Sequence, residues 1–231
     1  MNEDKRLVWD LPLRVFHWLF ALSLLAAWLT AEGGYDWREV HFYIGYWTLG
    51  LLLFRIIWGF VGPRHARFSN FLKGPGEMWR YLRGMLGGDP VHTPGHNPAG
   101  GLMVVVMLVL VAIQAITGLF ATDDIIWSGP YHPAVSPETA KSLTALHHAN
   151  FDWILIAVGL HILAIVLYWL VKKQNLVGPM VTGRKPAALV AEHEAIQSSE
   201  LVKALIVLLV SAAAVYTLIN VAPPPPEDFF F

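Results

Sequence analysis

The chain has 231 residues, 55% apolar and 14% charged, with ten histidines, ten tryptophans, no cysteine and a formal charge of −1. Soluble domains carry about 25% charged residues, so this composition excludes an ordinary water-exposed globule and points to lipid. Without cysteine there is no disulfide, thiolate zinc site, iron–sulfur cluster or covalently attached c-type haem, and a near-neutral charge with no long basic run argues against nucleic acid.

Five apolar segments follow one another: Leu13 to Ala31, Val40 to Val61, Gly101 to Ala121, Leu146 to Val171 and Val202 to Val221. Each has the length of about 20 residues that a helix needs to cross a hydrocarbon core. None alternates apolar and polar residues as a barrel strand does. The expected fold class is an all-α integral membrane protein with five spanning helices. A cleaved signal peptide is the rival reading of the N-terminus, but the first apolar run is long for one. The linker from Asn175 to Glu200 is expected to carry an interfacial helix around Ala187 to Ile196. Pro223 to Pro226 cannot continue a helix, and Phe229, Phe230 and Phe231 then supply an interfacial anchor or a docking peptide.

Lys and Arg are distributed unevenly among the loops. Thirteen lie in the N-terminal stretch, the second and fourth loops and the foot of the last helix; only Arg38 and Lys141 lie in the first and third loops. By the positive-inside rule this places the N-terminus in the cytoplasm and the C-terminus on the opposite face. Arg55, inside the second span, accounts for the sixteenth.

Ionisable residues inside a membrane are costly unless they face a partner, so each is a candidate functional group. His17 lies near the inner end of the first span, His41 at the outer start of the second, and His147, His148 and His161 along the fourth. From His147 to His161 the helix turns through about 1400°, within about 40° of four full turns, and rises about 21 Å. One face therefore carries both imidazoles, too far apart to share a metal. His148 misses that stripe by about 140°, which makes His147 the better ligand, with His148 as the alternative. Depth pairs His41 with His147 and His17 with His161, giving two bis-histidine sites suited to non-covalent haem. Zinc would want three or four converging ligands. A haem-free proton-coupled transporter is the competing class, since chains of His and acids also serve pumps; Asp152 is the main acid in the spans, about 140° off the histidine stripe.

These residues resemble a known family, the bacterial cytochromes b561, which includes the b-type cytochrome subunit of nickel–iron hydrogenases. The resemblance runs from Val8 to Lys185. It rests on Arg14-Val-Phe-His17-Trp18, on His41 with Gly45 and Arg55-Ile-Ile-Trp58-Gly59, on His96-Asn-Pro98, on Thr117-Gly118, and on the helix from His147 to His161. It implies a four-helix transmembrane bundle holding two haems b, with His17, His41, His147 and His161 as axial ligands of the iron. It also implies electron transfer in a bacterial inner membrane between quinone and a redox partner.

The domain organisation expected is a dihaem cytochrome b region over residues 1–185, a cytoplasmic linker over 186–200, and an additional span with its Pro/Phe tail over 201–231. The fifth helix departs from the four-helix pattern and suits a partner that simpler members lack. A c-type cytochrome is one such partner, met by acidic outer loops. Two alternatives have the chain as the membrane subunit of a hydrogenase- or dehydrogenase-like complex, or as a stand-alone superoxide–quinone oxidoreductase.

Arg14 and Arg55 have two readings, pairing with a haem propionate or snorkelling to headgroups. His92 and His96 read as loop-shaping residues between prolines, and His65, His132 and His193 as solvated. Trp9, Trp37, Trp79, Trp127 and Trp169 sit near span ends, as in an aromatic belt. No compact motif marks a quinone pocket.

Overall fold

A computed structural model describes residues 4–86 and 93–224; His92 and Phe229 to Phe231 lie outside them. The helices are α1 (Leu11–Glu32), α2 (Arg38–Val61), α3 (Phe68–Phe71), α4 (Pro75–Leu86), α5 (Pro98–Gly118), α6 (Pro137–Leu170), α7 (Val177–Thr182) and α8 (Leu201–Asn220). Two three-residue strands, β1 (Lys5–Leu7) and β2 (Arg184–Pro186), complete the regular structure. Helices α1, α2, α5, α6 and α8 are long and apolar enough to cross a membrane, and the protein is an all-α membrane protein with multiple spans. Their large apolar side chains are widely exposed, as on Leu22, Phe60, Leu163 and Leu209. Lipid tails cover such surfaces, because nothing in hydrocarbon drives them inward.

The observed spans match the apolar segments to within a few residues at most ends. The exception is α6, which starts at Pro137 and is 34 residues long. Its first turns are polar, and Ser136 Oγ accepts from Thr139 N at 3.3 Å, so the helix continues beyond its apolar stretch. The chain folds as two compact units, to each of which every spanning helix gives one segment. The first comprises Met1–Trp18, Arg55–Val106 and Ala157–Val207; the second comprises Leu19–Phe54, Met107–Ile156 and Leu208–Phe231.

The first unit is clasped by β1 and β2, which pair antiparallel with Arg6 opposite Lys185. Gly183 extends the clasp: its carbonyl accepts from Val8 N at 2.8 Å and Trp9 N at 3.0 Å. Its φ of 80° closes α7, and a Cβ there would come within 2.7 Å of Trp9 O, so glycine is required on two counts. Asp10, fully buried, starts α1. Its Oδ1 accepts from Leu13 N at 2.9 Å and from Trp58 Nε1 on α2 at 3.0 Å. Burial pushes the Asp10 carboxyl above the usual range, opposed by these hydrogen bonds and by the positive Arg55.

The linker from Ala187 to Ile196 departs from expectation. It forms two 3-10 turns, Ala187–Leu189 and Glu192–Glu194, and no α-helix. Tertiary contacts override the helical pattern: Val190 and Ile196 are buried, Arg6 donates to Val190 O, and Ile196 N donates to Leu7 O at 2.9 Å. In the second unit, Trp47 Nε1 donates to Ser23 Oγ at 3.1 Å, and Asn150 Nδ2 bridges to Leu110 O and Gln114 Oε1 at 2.9 and 2.8 Å. Tyr131 Oη donates to Leu218 O at 2.8 Å, tying the segment before α6 to α8.

Candidate functional site: two histidine pairs

Each unit contains one pair of facing histidines. In the second unit His41 of α2 faces His147 of α6, with ring centroids 6.4 Å apart. In the first, His17 of α1 faces His161 of α6 at 6.3 Å. All four residues are half-buried. Both separations can be tested against a metal held between two imidazoles: two metal–nitrogen bonds of about 2 Å, plus roughly 1 Å from each nitrogen to its ring centre, span about 6 Å. Each pair fits a bis-imidazole iron.

The second pair carries further detail. His41 Nδ1 lies 2.9 Å from Ala27 O and 3.3 Å from Thr30 Oγ1. His147 Nδ1 lies 2.9 Å from Gln114 O and 3.2 Å from Thr117 Oγ1. A carbonyl can only accept, so both Nδ1 atoms carry the proton and both Nε2 atoms present a lone pair. That is the tautomer a metal-binding histidine needs. Gly45 lies one helical turn beyond His41, and a Cβ built on it meets nothing within 4 Å. This leaves room for the edge of a large planar group. Gly118 does the opposite, since its Cβ would sit 3.0 Å from His147 Cε1; its lack of a side chain lets α5 seat that ring. His148, next to His147, is exposed, as is Asp152.

The first pair differs at His17. His17 Nδ1 is buried without a hydrogen-bond partner among the described residues. Arg55 lies in the same unit, 2% exposed, with its guanidinium carbon 4.9 Å from the Phe68 ring centre and 5.8 Å from that of Phe71. Neither Nη atom has an acceptor among the described residues. The buried carboxyl of Asp10 interacts with this charge, and the two Nη atoms remain able to take a further carboxylate. Arg14 donates through Nη1 to Val181 O, while its Nε is buried and unpaired. The donor set of this unit therefore suits the carboxylates of a porphyrin.

Two sequence expectations for the flanking residues are corrected. His65 is not solvated: it is 3% exposed, its Nε2 bonds to Glu194 O at 2.8 Å, and burial pushes it below the ordinary imidazole value. Trp9 does not join an aromatic belt. It is 6% exposed and packs edge-on against His96, centroids 4.6 Å apart, and against His65 at 6.2 Å. His96 is held between Trp9 and Phe71; burial first, then the charge of Arg55, pushes it down to about 3. Lys185 is lowered by burial too and donates to Thr93 O at 3.3 Å. Sequence reasoning also gave no role to Thr30 or Thr117. The available signal was a small polar side chain at the same helical level as each histidine.

Among the described residues no three His, Cys, Asp or Glu side chains cluster as a metal site, so each level offers two nitrogens. A family model described as prokaryotic cytochrome b561 matches residues 8–183. Curated relatives include the probable Ni/Fe-hydrogenase B-type cytochrome subunits of Azotobacter vinelandii and Rhizobium leguminosarum bv. viciae. The first is 28% identical, covering 76% of this chain and 86% of the relative; the second is 24% identical, covering 77% and 87%. A protein of the same description from Rhodobacter capsulatus is 26% identical over 77% and 80%. No solved structure matches the chain significantly.

Proposed function

Because the chain belongs to the prokaryotic cytochrome b561 family, and with it to the membrane electron-transfer proteins that carry haem b, we propose that it holds two haems, one at each histidine pair. We read its activity as passing electrons between membrane quinone and an extracytoplasmic redox partner such as a c-type cytochrome. The observation that carries this reading is the duplicated spacing, 6.3 and 6.4 Å between ring centroids, in two separate units. Bound there, each haem supplies a one-electron Fe(III)/Fe(II) couple.

The chain's own residues do the rest. His41 and His147 present Nε2 because backbone carbonyls hold their Nδ1 protons. Arg55, and the unpaired Nε of Arg14, are the groups that would hold propionate carboxylates of the His17/His161 haem. Apolar side chains along the spans exclude water from both levels. The basic loops favour an N-terminus in the cytoplasm of a bacterial inner membrane, which puts His41 and His147 at the outer level. Fourteen residues of one continuous helix, α6, lead from His147 to His161.

A second reading is favoured by the names of the relatives, which are hydrogenase subunits. In it the chain is the membrane electron-transfer subunit of a hydrogenase- or dehydrogenase-like complex. Affinity purification from native membranes distinguishes the two: a stoichiometric catalytic subunit supports the second reading, and its absence supports the stand-alone cytochrome. Haem content tests both. A pyridine haemochrome assay should give two haems b per chain, and one after replacing any of His17, His41, His147 or His161 by Ala. Full haem retention in His41→Ala and His147→Ala would rule out that pair as a ligand set.

A further inference from the structure

The two histidine pairs differ in what surrounds them. On α1 and α5 the same device recurs: a threonine hydroxyl, and the carbonyl three residues before it, face one imidazole N–H. Thr30 and Ala27 do this for His41, and Thr117 and Gln114 for His147. Each hydroxyl donates its own proton to the carbonyl four residues back, Thr30 to Ala26 O at 2.8 Å and Thr117 to Ile113 O at 2.6 Å. With its proton committed, each oxygen turns a lone pair to the histidine. Both ligands of this pair therefore share their Nδ1 protons with two acceptors.

The other pair has the reverse surroundings. His17 Nδ1 is buried with no partner among the described residues, and its ring faces that of His161. The same unit holds the buried cation Arg55. In the second unit the basic residues, Arg38 and Lys141, are not among the buried ones.

Hydrogen bonding from a metal-bound imidazole to an acceptor makes it a more basic ligand. That favours the oxidised iron and lowers its potential; hydrogen bonds around the ligands are among the protein's levers on haem potential. The charges of the first unit set no such bias, since the buried Arg55 interacts there with the buried carboxyl of Asp10. The hydrogen bonds to His41 and His147 therefore set the direction.

We propose that the His41/His147 pair builds the lower-potential haem and the His17/His161 pair the higher, with Thr30 and Thr117 as positioning residues that set the gap. The assignment rests on the two-haem reading above.

The test is a spectroelectrochemical titration of the purified, haem-loaded protein in detergent. Wild type should show two one-electron components. His17→Ala should leave the lower one and His41→Ala the higher. Thr30→Val combined with Thr117→Val should raise the lower component by about tenfold in its equilibrium constant, which is about 59 mV for one electron. The other component should stay within about twofold. Thr→Ser at both positions restores the hydroxyls and should restore the wild-type value, which separates an effect on potential from a packing defect. Two haems with the reverse order, or a double valine variant with both potentials unmoved, overturns the assignment alone. One haem per chain in wild type overturns the two-haem reading and the assignment together.

Discussion

Filling the space at Gly45 should expel one haem without weakening the polypeptide. Gly45 is one turn past His41 in α2, about 40° away around the helix axis, and an added Cβ there meets no atom within 4 Å. In the polypeptide alone, the Cβ of Gly45→Leu lies in open space. It also removes a mid-helix glycine, which costs about 0.8 to 1 kcal/mol relative to alanine, with leucine close behind. The protein chain should therefore be unchanged or stabilised by something under about 1 kcal/mol. A porphyrin whose edge lay beside that residue would meet four new carbon atoms, and overpacking costs typically about 1 to 3 kcal/mol. The effect thus has opposite signs for the chain and for the cofactor. Haem per chain, read by pyridine haemochrome, should fall from two to one, while the far-ultraviolet helical signal and detergent-phase monodispersity persist. Gly45→Ala should show a milder version, with haem retained and its spectrum shifted. Full haem occupancy in Gly45→Leu would refute the placement of a cofactor beside this residue.

Three further outcomes follow from neighbouring features. His147→Ala should lose one haem, whereas His148→Ala, at an exposed position, should keep both; the reverse result would overturn the facing-pair geometry. Asp10→Ala removes the acceptor for Leu13 N and Trp58 Nε1, so with cap loss of about 1 kcal/mol and a lost hydrogen bond of about 1 kcal/mol the first unit should lose about 2 kcal/mol; a thermal midpoint unchanged in detergent would contradict this. His96 sits at about 3 in the folded protein against an ordinary value of 6.5, so its neutral form stabilises the fold above about pH 6.5 and that contribution drains away as pH falls toward 3. Asp10, raised by burial, works in the opposite sense, and the comparison of wild type with His96→Asn between pH 7.5 and 5 isolates the histidine: the acid-side loss should be smaller in the variant.

The spans were legible in the sequence because their cause is local: a run of apolar residues of bilayer length has few alternatives to a helix. The pairing of His41 with His147 and His17 with His161 was legible for a related reason, since depth in a membrane converts sequence position into height. The clasp of β1 with β2, the burial of His65 and the straightened linker were not. Each depends on contacts between segments far apart in sequence, such as Ile196 N with Leu7 O and His65 with Glu194 O. A helical pattern over Ala187 to Ile196 loses to those contacts, because a short helix at an interface contributes little by itself. Thr30 and Thr117 were overlooked because threonine inside a span ordinarily bonds only its own helix, and both do that as well.

The strand clasp has a consequence for how the protein is made. Leu7 cannot find Arg184 until four spanning helices have been synthesised and threaded into the bilayer, so the N-terminal strand must wait unpaired through most of translation. Closing a loop that long adds only a slowly growing entropic cost, and closure then fixes α1 and the segment after α6 to each other through Gly183. The clasp closes only when β1 and β2 lie on the same side of the membrane, and a product truncated before Arg184 would leave β1 without its partner strand.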